Sequence, residues 1–134
     1  MSLLERIKHH EGFRSKVYKC TEGYDTIGYG FAIKDLEIDE DIAEMILIRK
    51  LDNLMNRIQK TFHWWRSAED EVKNVVVEMC YQLGISGFSK FKKTIDHLGN
   101  KRYGKAAVEM LDSKWAKQTP NRAIELSNII KNLE

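Results

Sequence analysis

Glu11, a carboxylate at the end of a short helix and facing a predicted β-hairpin, is a plausible acid-catalysis site. Glu11 precedes Gly12 at the end of a short amphipathic helix running from Leu3 to about His10. Unpaired carbonyls give the C-terminal end of a helix partial negative charge, which favours the protonated form of a carboxyl group placed there. Partial burial acts in the same direction, and a glutamic acid that keeps its proton near neutrality can serve as a general acid. A glutamate before a helix-ending glycine is also an ordinary surface arrangement, so position alone leaves both readings open.

Cys20 and Thr26 belong to a predicted hairpin. Ser15 to Cys20 and Tyr24 to Ile27 read as extended stretches, joined by Thr21-Glu22-Gly23 and closed by Gly28-Tyr29-Gly30. With a three-residue loop, Cys20 lies opposite Tyr24 and Tyr18 opposite Thr26. Side chains alternate along a strand, so these four share one face while Asp25 and Ile27 take the other. Gly23 supplies the left-handed residue that such a loop needs.

The elements that must hold these residues follow. Phe31-Ala32-Ile33 reads as a third short strand and Lys34 to Asp39 as a connector. Asp39 is a good N-cap, and Ile42, Met45, Ile46, Leu51, Leu54, Met55 and Ile58 keep helical spacing to about Thr61. His63-Trp64-Trp65 reads as junction packing, with sugar stacking as the sharper alternative. Ser67 is expected to cap the next helix with Asp70 as its box partner. Val72, Val75, Val76, Met79, Cys80 and Leu83 make that helix apolar nearly all round, hence central, and Gly84 ends it. Two short helices follow, about Ser89–His97 and Arg102–Leu111, and a last one runs from Pro120 to about Lys131 with Thr119 as N-cap. Arg122 then sits in a first turn, an unfavourable place for a cation and a small argument for a functional reason to have it.

The 134 residues suffice for one domain with a proper core, and the net charge is +2. Residues 71–134 hold eleven Lys/Arg against seven Asp/Glu, and residues 1–70 eleven against thirteen. A mildly basic C-terminal half suits an anionic polymer as well as it suits plain solvated helix faces. No basic stripe points to nucleic acid. No apolar run reaches about 18 residues, so no stable membrane insertion is expected, and the N-terminus does not read as a signal peptide. The spacing of Cys20 and Cys80 matches neither a metal motif nor a disulfide framework, so no metal or cofactor is expected and synthesis in a reducing cytosol is.

Three blocks of the chain resemble the phage-type lysozymes, the glycoside hydrolase family that includes the lysozyme of the T-even bacteriophages. They are Glu11-Gly12-Phe13-Arg14 with Val17 to Gly30, then Tyr81-Gln82-Leu83-Gly84 with Gly87-Phe88, then Ser113-Lys114-Trp115 with Gln118 to Ala123. The resemblance implies a mainly helical α+β fold in a single lysozyme-like domain. A small hairpin lobe (about 12–38) and a helical lobe (about 62–134 plus the N-terminal helix) would flank a cleft, joined by a helix at about 39–61. It implies hydrolysis of the β-1,4 bond between N-acetylmuramic acid and N-acetylglucosamine in peptidoglycan, with Glu11 as general acid. It also implies that Arg122 pairs with Glu11 and that Tyr81, Gln82, Ser113 and Lys114 contact substrate. By the same resemblance the protein would be a monomer made in a bacterial host, reaching the wall through a separate membrane-permeabilising protein.

The chain departs from the family pattern at Cys20, where relatives usually carry aspartate, and at Phe31, where many carry histidine. It is shorter than the best-known relative, mainly between the hairpin and the long helix and at the C-terminus. In the family the aspartate, with the threonine at Thr26, positions a water on the far face of the sugar, giving inversion. A thiol supplies no such fixed charge at neutral pH. Two alternatives therefore stand beside the hydrolase: a weakened wall-binding or structural domain, and a lytic transglycosylase, which needs an acid but no water-activating aspartate.

Overall fold

The computed structural model describes all 134 residues. Ser2 opens helix α1 (Leu3–Glu11) with a full capping box: its hydroxyl accepts from the Glu5 N–H, and the Glu5 carboxylate accepts from the Ser2 N–H. Gly12 closes the helix at φ +70°, its N–H donating to the Lys8 carbonyl. Only glycine takes that backbone freely, which fixes Glu11 as the last helical residue.

The chain then enters a three-stranded antiparallel sheet in the order β1 (Arg14–Lys19), β2 (Asp25–Gly28), β3 (Phe31–Ala32). Tyr18 pairs with Thr26 and Lys19 with Asp25, the register expected from parity. An irregularity between Arg14 and Tyr18 shifts the register upstream, a feature that alternation alone does not reveal. The third strand holds two residues, because Ile33 to Asp35 turns into a single 3-10 turn.

Helix α2 (Glu40–Thr61) has 22 residues, about 33 Å at 1.5 Å per residue. Helix α3 (Asp70–Ser89) is interrupted at Gly84, where φ +77° and ψ 160° leave helical geometry. Gly84 thus ends the long segment as expected, and a further helical turn resumes beyond it. Helices α4 (Lys92–Gly99), α5 (Tyr103–Leu111), α6 (Lys114–Gln118) and α7 (Pro120–Lys131) complete the chain. The result is the mainly helical α+β architecture expected. No helix is long and apolar enough to cross a membrane.

One local expectation needs correction, and one helix was missed. Ser67 does not cap α3: it closes a separate 3-10 turn, Trp65–Ser67, and its hydroxyl donates to the Trp64 carbonyl. Glu69 takes the N-cap position without a side-chain bond. Thr119 occupies the N-cap of α7, yet its hydroxyl donates backward to the Trp115 carbonyl at 3.0 Å. The missed helix is α6, which Ser113 starts by accepting from the Ala116 N–H.

The chain divides into two units, Met1–Glu44 and Met45–Glu134. Helix α1, assigned from the sequence to the helical lobe, falls in the first unit, where Lys8 lies over the ring of Tyr29 in the β2–β3 turn at 5.5 Å. The second unit is built around α3, with Val72, Val76, Met79 and Cys80 at 1% exposure or less. Ile58 from α2, Met110 from α5 and Ile130 from α7 are equally enclosed, the long apolar side chains contributing about 1.5–3 kcal/mol each. Cys80 is a core residue, and burial pushes its thiol up to about 12.

Candidate active site

In the first unit, the Tyr24 peptide group organises the hairpin tip. Its carbonyl accepts from the Cys20 N–H at 2.9 Å and from the Thr26 hydroxyl at 3.0 Å. Both lone pairs of one oxygen are therefore spent on holding the two residues in register. The Gly23 N–H donates to the Cys20 carbonyl, and Gly23 sits at φ +85°, closing the three-residue loop. Thr26 is buried and Cys20 half-buried.

The Cys20 thiol is drawn below its ordinary value chiefly by the backbone N–H groups of Tyr24 and then Glu22. The Thr26 hydroxyl adds to this, while desolvation and the Glu22 charge oppose it. A hydroxyl has one proton. With that proton on the Tyr24 carbonyl, Thr26 offers its lone pairs to a donor such as water.

Glu11 ends α1 beside the turn that follows β2. A Cβ built on Gly30 would lie 2.7 Å from Glu11 Oε2, so the carboxylate occupies the space that a side chain at position 30 would fill. Gly30 also adopts φ +76°. Phe13 and Tyr29 pack at 5.5 Å between ring centroids, tying the chain after α1 to the same turn. Gly30 is a positioning residue that sequence reasoning passed over, although the Gly28-Tyr29-Gly30 pattern carried the signal. Gly30→Ala is expected to strain the backbone by about 1–2 kcal/mol and to displace the carboxylate. If Glu11 is the acid that the resemblance implies, misplacing it by an ångström should lower wall lysis about a hundredfold. A Gly30→Ala variant with parental activity would show that the Glu11 position at this turn does not matter.

The other residues singled out from the sequence lie in the second unit. Arg122, which the resemblance pairs with Glu11, has Glu78 of α3 as its partner within this unit: Nε donates to Oε2 at 2.8 Å. That carboxylate explains how a cation is tolerated in the first turn of α7. The side chains are 37% and 45% exposed, so the pair is worth at most about 1 kcal/mol. Arg122→Ala should accordingly lower the melting temperature by no more than about 5 °C; a larger fall in a thermal melt would assign the pair a structural weight that its exposure does not suggest.

Tyr81 is exposed, and Gln82 accepts from the Trp115 indole N–H at 2.9 Å, which orients its amide. The Ser113 hydroxyl donates to the Met110 carbonyl at 2.7 Å while capping α6. Ser113, Lys114 and Trp115 line a cavity of about 560 Å3, together with Leu83, Gly87 and Phe91. Its volume lies in the range of small-molecule sites. Three of the four expected substrate contacts (Gln82, Ser113 and Lys114) thus gather at α6, and Tyr81 adjoins them in sequence.

The sequence profile of the family described as Phage lysozyme matches residues 8–128. The chain is 26% identical over 159 aligned positions to a protein of Dictyostelium discoideum named probable T4-type lysozyme 2, covering 97% of this chain and 94% of that one. Probable T4-type lysozyme 1 of the same organism is 26% identical over 160 positions, with the same coverage. The pre-baseplate central spike protein Gp5 of Enterobacteria phage T4 is 27% identical over 158 positions, spanning 97% of this chain and 28% of that protein. All three alignments are longer than the chain, so each relative carries residues that this chain does without. The match of the family profile to most of the chain, over a fold of the expected class, places this protein in the phage lysozyme family.

Proposed function

We propose that the protein hydrolyses the β-1,4 bond between N-acetylmuramic acid and N-acetylglucosamine in peptidoglycan, as an endolysin-type muramidase. Glu11 donates its proton to the glycosidic oxygen as the bond from the anomeric carbon breaks. Thr26 accepts a hydrogen bond from the incoming water and orients it. Cys20 acts as its thiolate, the form that the Tyr24 and Glu22 N–H groups favour, and becomes the thiol as it takes up the water's proton while the water oxygen bonds to the anomeric carbon. Tyr81, Gln82, Ser113 and Lys114 contact the glycan, and Arg122 supports the acid. The observation that carries this reading is the Tyr24 peptide, which fixes Cys20 and Thr26 side by side on the hairpin face expected from register.

The substitution of cysteine for the usual aspartate keeps a second reading in play, a wall-binding domain with weakened catalysis or a lytic transglycosylase. A turbidity assay on permeabilised bacteria separates active from inactive protein. Mass analysis of the released fragments then decides the reaction: reducing ends mark hydrolysis, and 1,6-anhydro ends overturn it in favour of transglycosylation. Under the hydrolase reading the protein acts as a monomer. It is made in a bacterial host cytoplasm and reaches the wall through a separate membrane-permeabilising protein.

A further inference from the structure

We infer that a groove on the helical unit, based on Trp64 and rimmed by Ser89, Lys92, Asp96 and Asn100, is a second binding site for the glycan strand; the choice of strand rests on the function proposed above. The adjacent tryptophans diverge. Trp65 is 8% exposed in the core and donates its indole N–H to the Lys73 carbonyl. Trp64 is half-buried and lines a groove of about 510 Å3 with Phe62 and Ile95. Its ring lies against the bare backbone of Gly99, where a Cβ would come within 3.3 Å of Cδ1. Phe62 packs against it at 6.0 Å between centroids. The indole is therefore held before any ligand arrives, and a large side chain with two torsions makes a platform at low entropic cost.

The rim is ordered as well. The Asn100 Nδ2 group donates to the Asp96 carbonyl at 2.8 Å and to Asp96 Oδ1 at 3.2 Å, leaving the amide oxygen of Asn100 as an acceptor. Arg102 clamps Asp96 Oδ2 at 2.7 Å and donates through Nε to His97 Nδ1 at 2.9 Å. The Ser89 hydroxyl donates to the Ile85 carbonyl at 2.6 Å, so its lone pairs remain. Lys92 is the one cation of the rim. Such a rim offers acceptors to hydroxyl and amide N–H donors beside an aromatic platform for C–H faces. With Asp96 already paired to Arg102, the rim presents acceptors beside the indole, a surface that the hydroxyls and amide N–H of an N-acetylated pyranose match.

Continuity supplies the length. Lys92 lines both this groove and the 560 Å3 cavity that contains Ser113 and Lys114. A strand lying in that cavity would have to cross the first turn of α4 beside Lys92 to enter the Trp64 groove, so only a polymer could occupy both.

The test uses the full chain carrying Glu11→Gln, labelled with 15N and titrated with the dimer and the hexamer of β-1,4-linked N-acetylglucosamine. The hexamer is expected to move the Trp64 indole signal and the amides of Ser89 and Ile95–Asn100. Trp64→Ala should weaken hexamer binding about tenfold, and Asn100→Ala less, with the dimer little affected. Should Trp64→Ala fail to fold, the indole shift and the Asn100→Ala affinity carry the decision. Hexamer binding that moves only signals near Ser113–Trp115, or that is indifferent to both substitutions, overturns the inference. If that result accompanies wall lysis by the parent, the muramidase reading stands and only the groove falls. If the parent neither lyses walls nor binds hexamer anywhere, both fall.

Discussion

Glu11→Gln is expected to fold as the parent does and to lose wall lysis by at least about a hundredfold, the lower end of what a general acid contributes. The amide is nearly isosteric with the carboxyl group, so it fits the space beside Gly30 that the glycine leaves open. What it lacks is a proton that can pass to a glycosidic oxygen. Stability should hold or rise slightly. Removing a carboxylate from the negative end of α1 relieves an unfavourable interaction of about 0.3–1 kcal/mol. Lys8, His9 and His10 in the same last turn already offset part of that charge, so the gain belongs at the low end. Turbidity clearing of permeabilised bacteria, read beside a thermal melt, checks both halves. A variant that melts like the parent and clears at the parental rate would remove Glu11 from the chemistry.

Local rules made most of this architecture legible. The hairpin register followed from a three-residue loop and side-chain alternation, because period two leaves no freedom once the turn is placed. Gly12 and Gly84 marked helix ends through a backbone conformation that other residues resist. The central α3 helix was visible because an apolar surface on all sides has nowhere else to go.

Long-range pairings were not visible in the same way. Glu78 takes the Arg122 guanidinium 44 residues away, and no local pattern announces that partner. Trp115 and Gln82, 33 residues apart, meet for the same reason. The role of Tyr24 was hidden because it acts through its peptide group, which every residue possesses. Helix α6 escaped notice because five residues give no period to read. The choice between the two readings of Trp64 and Trp65 needed the core itself, since one enters it and the other lines a groove.

The Cys20 series is expected to give the second large effect: Cys20→Asp active, Cys20→Ala much weaker, and the alkylated parent inhibited. Aspartate places a carboxylate on the face shared with Thr26, where the resemblance expects one. Alanine leaves Thr26 alone to orient water, so loss of base assistance should cost about a hundredfold. Alkylation should be selective. Thiolate is the reacting form, and Cys80 is buried with its thiol pushed up to about 12. Cys20 is drawn the other way by the Tyr24 and Glu22 N–H groups. Its alkylation rate should therefore rise with pH at a midpoint below that of an unfolded control peptide. The sign for stability follows from the same linkage. A thiol whose value is lowered by folding contributes its full stability above its unfolded value, and that gain is lost as pH falls through the folded one. The protein should therefore gain no stability from Cys20 in acid. A thiolate is also intrinsically nucleophilic, so direct attack on the anomeric carbon, with retention through a covalent intermediate, is the competing route. Proton NMR of the anomer first released by the parent separates the two: the inverted anomer supports a water held by Thr26 and Cys20, and the retained one supports sulfur attack. Equal lysis by Cys20→Ala and the parent would show that the thiol takes part in neither.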